Sequence, residues 1–498
     1  MQHAVIFPIL VPLITGALLL LPPLQASVNK RRALGGLGLL LLLLSACYGL
    51  WQSAGGVQNF YLLGNWPAPF GIVLLQDKVS AIFVLLSTVL ACCCWLYSLA
   101  GEDERGAYFQ PLLQFLLMGI HGAFLTADLF NLFVFFEVLL ISSYGLLLHG
   151  GGKGRTKAAL HYVLLNLLGS ALFLLALALL YAMLGSLNMQ DMALRISSLA
   201  PQQVLIVKAA AGLLLLVFGL KAALLPLHFW LPAAYANASA AVAAMFAVMT
   251  KVGVYCVMRV FGSLFGDNAA ELAGFGRDLL WIAGLATMLL AAVGVVAAQH
   301  LKLLVAYLVL LSAGSLLATL ALGHTGAVAA VLYYSLHSTL VAAALFLLAD
   351  LIAAQRGTVQ DRLVAGRPLQ QAWPLGVLFV ISALAVVGMP PLSGFVAKIW
   401  LMQAATDLHS RIALWSVLLF CSLLVLIALT RAGSTLFWRV KAQAVTAQRA
   451  DAVQFAAVGL LLLASPVLVL FGEPVMQFCV EAATQLQFLP NVRAVGGA

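Results

Sequence analysis

Four charged residues and one histidine in this 498-residue chain stand where charge is expensive. Glu137 lies in FNLFVFFEVLLIS, with no other charge within eight residues on either side. Lys221 precedes Pro226 in FGLKAALLPLHFWLP, and Lys251 falls inside MFAVMTKVGVYCV. Lys398 follows Pro390 and Pro391 in VVGMPPLSGFVAKIW, and His337 sits in LYYSLHSTLVAAA. An ionisable side chain within hydrocarbon is costly and marks a functional site by default. Amines and carboxylates taken out of water hold their charged forms less firmly, and a change at one site alters its neighbours. An acid, three lysines and a histidine therefore suit a proton relay. A Na⁺ or K⁺ ion competing with a proton at the carboxylate is the simplest route to cation/proton exchange. The competing structural reading is an ion pair of Glu137 with Lys221 that only staples two helices.

The elements that hold these residues follow from composition. The chain is 64% hydrophobic and 8% charged, with a mean hydropathy of +1.09. Soluble domains are about a quarter charged, so this is an all-α polytopic membrane protein. A span needs roughly 20 apolar residues. Fourteen segments qualify, near 4–21, 33–51, 78–98, 108–127, 129–149, 160–185, 203–225 with an extension to 235, 239–262, 279–298, 303–322, 326–352, 375–405, 411–431 and 452–472. The fourth and fifth are separated by almost nothing. The twelfth is overlong and broken at Pro390–Pro391. The seventh is broken at Pro226. The apolar N-terminus lacks a basic leader and is expected to be a retained first span.

Lys and Arg set the orientation. Fifteen of the 25 basic residues fall in loops after odd-numbered spans, and seven lie on the other side; the remaining three are the intraspan lysines. The odd loops are therefore expected in the cytoplasm and both termini outside. The net charge of +9 is then mostly topology, which argues against a nucleic-acid partner. Counting along the helices puts Lys251 about 18 Å and Glu137 about 12 Å into their spans. Free backbone groups at a proline break are tolerated only inside protein or beside a hydrated cavity. Two broken spans, five helices apart and each carrying a lysine, suggest an inverted repeat.

Other candidates have plainer readings. Asp128 stands at a helix start, where it can cap. His228 follows the first break and is a candidate for satisfying freed backbone. His300, Lys302, His161 and His324 lie at span ends. Asp128, His228, His300 and Lys302 are kept as accessory candidates. The seven cysteines form no CxxC, and no metal or redox-cofactor motif occurs. A lipid-modifying membrane enzyme would cluster polar residues at one face, whereas these are mid-membrane.

Several long stretches carry a family resemblance: TADLFNLFVFFEVLLISSY, KAALLPLHFWLPAAYANASAAVAAMFAVMTKVGVY, QHLKLLVAYLVLLSAG and GMPPLSGFVAKIW. Together they resemble the antiporter-like subunits of proton-pumping NADH dehydrogenase and of the Mrp-type multisubunit cation/proton antiporters. NLFVFFEV, ASAAVAA and LHSTLVAAALFLLADLI are most similar to the D-subunit branch of the Mrp (Pha) family. The resemblance covers about residues 110–430 of what is read as one transmembrane domain, 1–498, with helices 1–3 and 14 peripheral. It implies about fourteen helices in two inverted five-helix repeats (helices 4–8 and 9–13), with helices 7 and 12 broken. By position, Glu137 matches the family's helix-5 glutamate, and Lys221 the helix-7 lysine paired with it. Lys251 matches the helix-8 lysine, His337 the helix-11 histidine, and Lys398 the terminal helix-12 lysine. A glutamate occupies the last position in one NADH dehydrogenase relative, so lysine fits the Mrp branch better. The lysine that many relatives carry after the histidine is missing here. With little sequence after span fourteen, the chain is expected to lack the lateral helix and extra domains of the larger A-type relative. The implied function is a proton/cation-translocating subunit of a Na⁺ or K⁺ (or Li⁺)/H⁺ antiporter in the bacterial inner membrane. It would be a transporter component and not an enzyme, would need partner subunits and would carry no cofactor. The alternative is a proton-pumping subunit of NADH dehydrogenase or a membrane-bound hydrogenase.

Overall fold

A computed structural model describes residues 2–441 and 449–487. Helix occupies every one of the fourteen expected segments. They are α1 (Phe7–Leu19), α2 (Val28–Ala54), α3 (Lys78–Ser98), α4 (Phe109–Leu125), α5 (Leu129–Leu148), α6 (Lys153–Leu184) and α7 (Pro201–Lys221). Then follow α8 (Ala240–Leu264), α9 (Arg277–Ala297), α10 (Leu301–Leu320), α11 (Thr325–Gln355), α12 (Ala372–Val387), α13 (Leu408–Gly433) and α14 (Ala452–Leu470). Among the described residues, eleven helices are long and apolar enough to cross a membrane, and three apolar ones are shorter. A helix the sequence reading did not foresee, α15 (Gly472–Gln487), follows. Among the described residues the chain departs from all-α in one small sheet: β1 (Asn59–Leu62) pairs antiparallel with β2 (Val73–Gln76), Asn59 opposite Gln76. The expected outward C-terminus, with Arg493, lies outside the described residues.

Leucines at helical spacing on α6, among them Leu160, Leu164 and Leu168, are exposed and form an apolar outer stripe. By contrast, every residue of the most apolar stretch of α8 is buried. α10 and α11 are nearly as enclosed, so these three helices form the centre. α3, expected at the periphery, has 72% of its apolar stretch buried. The reason is polar bolting at both ends. Asp77 caps α3 through Ser80 and receives both terminal nitrogens of Arg259 from α8, at 2.5 and 2.8 Å. At the other end the Tyr97 hydroxyl donates to Asp350 of α11 at 3.1 Å. α13, counted within the core by resemblance, is only one-third buried.

Both expected breaks are present. α7 ends at Lys221 and helix resumes at Trp230–Asn237. α12 ends at Val387 and resumes at Ser393–Gln403. They close alike, with a six-residue turn: Leu224 N–H donates to Gly219 O at 2.8 Å, and Met389 N–H to Leu384 O at 3.0 Å. The left-handed residue is Gly388 (φ 86°) in one and Ala223 (φ 60°) in the other. Ala there carries steric strain of about 1–2 kcal/mol. α8, expected to be continuous, is also irregular: a turn at 247–248 precedes Lys251, and Val257–Phe261 winds as π-helix. Neither irregularity has a proline or glycine to announce it.

Candidate functional site

The five predicted residues lie on α5, α7, α8, α11 and the second half of α12. Lys221, Lys251 and His337 are buried in protein, and Glu137 and Lys398 are half-buried. Each hydrogen-bonds to a neutral group. Glu137 accepts from the Ser170 hydroxyl of α6 at 2.5 Å. Lys221 donates to the side-chain oxygen of Asn166, also on α6, at 3.0 Å, with its ammonium 5.6 Å from the Phe136 ring centre. Lys251 donates to Ser312 of α10 at 2.9 Å. His337 Nδ1 meets the Ser393 hydroxyl at 2.8 Å, and Ser393 meets Ser465 of α14 at 2.8 Å. Lys398 folds back onto its own break. Its ammonium donates to the carbonyls of Val386 (3.1 Å) and Val387 (2.7 Å) and to Ser422 of α13 (2.8 Å).

The expected contact between Glu137 and Lys221 does not occur. No direct ion pair joins them, each side chain being taken up by α6, although the carboxylate still acts on the ammonium through space. Nor does any ion pair among the described residues involve Lys251, His337 or Lys398. What the structure does bring together is the other half of the set. Ser312, which holds Lys251, shares a cavity of about 30 Å³ with His337, Ser338, Lys398 and Ser422. The buried Ser338 hydroxyl there has no protein partner. A cavity of this size has room for a water or two, with Ser312, His337, Ser338, Lys398 and Ser422 as polar groups in an otherwise largely apolar lining.

Backbone contact links the two halves. A side chain at Gly253, two residues after Lys251, would meet the Ala222 amide nitrogen at 2.5 Å and the Lys221 carbonyl carbon at 2.9 Å. α8 thus lies directly on the end of α7. At that end the indole of Trp230 donates to Leu220 O at 3.0 Å, and Thr287 of α9 accepts from the Leu225 amide at 2.9 Å.

The accessory candidates stand apart. Asp128 caps α5, accepting from the Asn131 amide at 2.8 Å. His228 does not satisfy freed backbone: its buried Nδ1 has no partner, and Trp230 and Thr287 do that work. His300 pairs with Asp361 at 3.0 Å, and Lys302 with Asp350 at 2.8 Å, at the lysine- and arginine-rich ends of the helices.

Sequence reasoning missed the neutral partners Asn166, Ser170, Ser312, Ser393 and Ser422. It also missed three ionisable sites. His121 of α4 is buried between Ser87 (2.9 Å) and the Pro8 carbonyl (3.0 Å). Glu102 is buried after α3 and accepts from the Ala241 amide at the start of α8, at 3.2 Å to the nearer oxygen. Burial pushes its carboxyl up, and the nearby Asp350 adds to that. Burial also opposes ionisation of Asp77, but Arg259 beside it holds that carboxyl below the usual range. Among the described residues no group of three or more His, Cys, Asp or Glu side chains is arranged to hold a metal.

Comparison with known proteins places this geometry. Residues 126–427 match the family model described as NADH:quinone oxidoreductase/Mrp antiporter, TM. The chain is 39% identical to the D subunit of a probable K⁺/H⁺ antiporter from Rhizobium meliloti, over 88% of this chain and 87% of that one. It is 36% identical to the D subunit of the Na⁺/H⁺ antiporter of Alkalihalophilus pseudofirmus, over 98% and 97%. Among solved structures it superposes on a chain of the Mrp complex from Dietzia sp. DQ12-45-1b with a TM-score of 0.87, 25% identity and 98% of each chain covered.

Proposed function

Since the chain belongs to the D-subunit branch of the NADH:quinone oxidoreductase/Mrp antiporter membrane family, we propose that it carries protons through Glu137, Lys221, Lys251, His337 and Lys398 to drive monovalent cation exchange. One observation carries this reading. Five ionisable side chains, on five helices, all rest on neutral partners; two of them line one small cavity and a third holds a serine that lines it. A structural staple would pair opposite charges; neutral hydroxyl, amide and carbonyl partners leave each group able to take or release a proton.

The cavity itself favours protons over metal ions. Lys398 and His337 line it, Lys251 reaches it through Ser312, and no carboxylate among the described residues does. Two carbonyls that could ligate a cation are already bonded to Lys398. A Na⁺ or K⁺ ion would face lysine charge with few oxygen ligands, so this half of the path is assigned to protons. Cation competition is assigned to the Glu137 end or to a partner subunit. The lysine- and arginine-rich ends face the cytoplasm of a bacterial inner membrane, and the chain works as one component of a hetero-oligomer. The test uses everted vesicles containing this chain with its partners. Na⁺, K⁺ or Li⁺ added to energised vesicles should collapse the pH gradient and so identify the cation. No collapse with any of them from assembled complex would move the assignment to a proton-pumping subunit of a redox complex.

A further inference from the structure

The separation of Glu137 from Lys221 is built by one helix. Asn166 and Ser170 lie four residues apart on α6, hence one above the other on the same face. Asn166 is 1% exposed and Ser170 8% exposed. The Asn166 amide nitrogen donates back to the Tyr162 carbonyl at 2.8 Å, which fixes the side chain with its oxygen toward Lys221. Tyr162 is itself held by Ser143 of α5 at 2.9 Å, the helix that carries Glu137. Ser170 takes up the carboxylate. The same face of α6 therefore holds both members of an acid–base couple, each on its own neutral partner.

We propose that Asn166 and Ser170 are positioning residues, a clasp that keeps Glu137 and Lys221 out of contact so that each remains free to trade protons with the rest of the path. In a low-dielectric interior a contact pair of opposite charges is a deep resting state. Every cycle that needed the carboxylate or the ammonium would first have to part it. Two neutral partners one helical turn apart replace that single strong contact with two weaker ones, each broken independently. The inference rests on the relay proposed above and adds two residues to it.

The test compares Ser170→Ala, Ser170→Thr, Asn166→Leu and Glu137→Gln in the complete complex in everted vesicles, with rates scaled to assembled complex. A hydrogen bond to a charged group corresponds to about a ten-fold effect or more. Ser170→Ala and Asn166→Leu are each expected to slow exchange by about that factor. Ser170→Thr, which keeps the hydroxyl, should stay close to wild type. Because the two residues act on one pair, the double variant should be no slower than the slower single. Wild-type rates from assembled Ser170→Ala and Asn166→Leu would overturn the clasp. So would a Ser170→Thr as slow as Ser170→Ala, since only packing would then matter. Ser170→Ala removes a single oxygen atom, so that arm is decisive even where Asn166→Leu disturbs assembly. Glu137→Gln separates the two levels: an inactive Glu137→Gln with an unaffected Ser170→Ala removes the clasp alone, and a fully active Glu137→Gln removes the relay beneath it.

Discussion

Gly253→Ala probes the join between the two halves of the path. The added methyl carbon would stand 2.5 Å from the Ala222 nitrogen and 2.9 Å from both the Ala222 Cα and the Lys221 carbonyl carbon. Ordinary contact begins near 3.4 Å, so about 0.9 Å of separation must be found. The obstructing atoms are backbone and have no rotamer to escape into. Overpacking of this kind costs about 1–3 kcal/mol, which a large helical bundle survives. The functional cost is greater. Lys251 lies two residues from the methyl group and reaches Ser312 at 2.9 Å; Lys221 forms part of the contact and reaches Asn166 at 3.0 Å. Moving either by 0.9 Å takes its hydrogen bond to nearly 4 Å, beyond useful geometry. A misplacement of about 1 Å costs on the order of 10²-fold in rate. The assay is cation-dependent collapse of the pH gradient, scaled to assembled complex. Gly459→Ala in α14, where a methyl group meets nothing within 4 Å, is the control. Wild-type exchange by an assembled Gly253→Ala complex would refute the idea that α7 and α8 must meet this closely.

Three further outcomes are expected. Gly394→Ala should be more severe than Gly253→Ala, because its methyl group would overlap the Ala385 carbonyl oxygen outright and press on His337 at 3.0 Å; exchange and the yield of assembled complex would both read it. Asp77→Asn leaves Arg259 buried without its counter-charge and should lower stability by about 3–5 kcal/mol, visible as a drop in the melting temperature in detergent. His228→Ala removes a ring whose buried Nδ1 has no partner and should leave exchange unchanged; a large loss would return His228 to the path.

The charged members of the site were legible because a lone Glu or Lys in an apolar run has no ordinary explanation. Proline likewise announced the breaks in α7 and α12. What stayed hidden is neutral. Ser170, Asn166, Ser312 and Ser422 look like any small polar residue in a span, and their importance comes from the helix opposite them. The turn before Lys251 lies in AMFAVMTKV, which carries no breaker, so tertiary packing sets it. The depth of α3 was also out of reach, since it depends on Asp77 finding Arg259 across 182 positions of sequence. His121 was passed over in a glycine-rich stretch, GIHGAF, that reads as ordinary helix packing. The direct Glu137–Lys221 contact was not formed for a related reason: resemblance names the two residues but says nothing of the partner that α6 offers each.

The central claim is that a proton resides in turn on buried and half-buried side chains that begin with Glu137. Replacing that glutamate by glutamine keeps its shape and its acceptor oxygen for Ser170 while removing the exchangeable proton. The decisive measurement is exchange by Glu137→Gln in everted vesicles, beside a wild-type complex assembled to the same level. The account predicts an assembled complex with no cation-dependent collapse of the pH gradient for any of Na⁺, K⁺ and Li⁺. Exchange at the wild-type rate would contradict it and leave Glu137 a structural partner of α6.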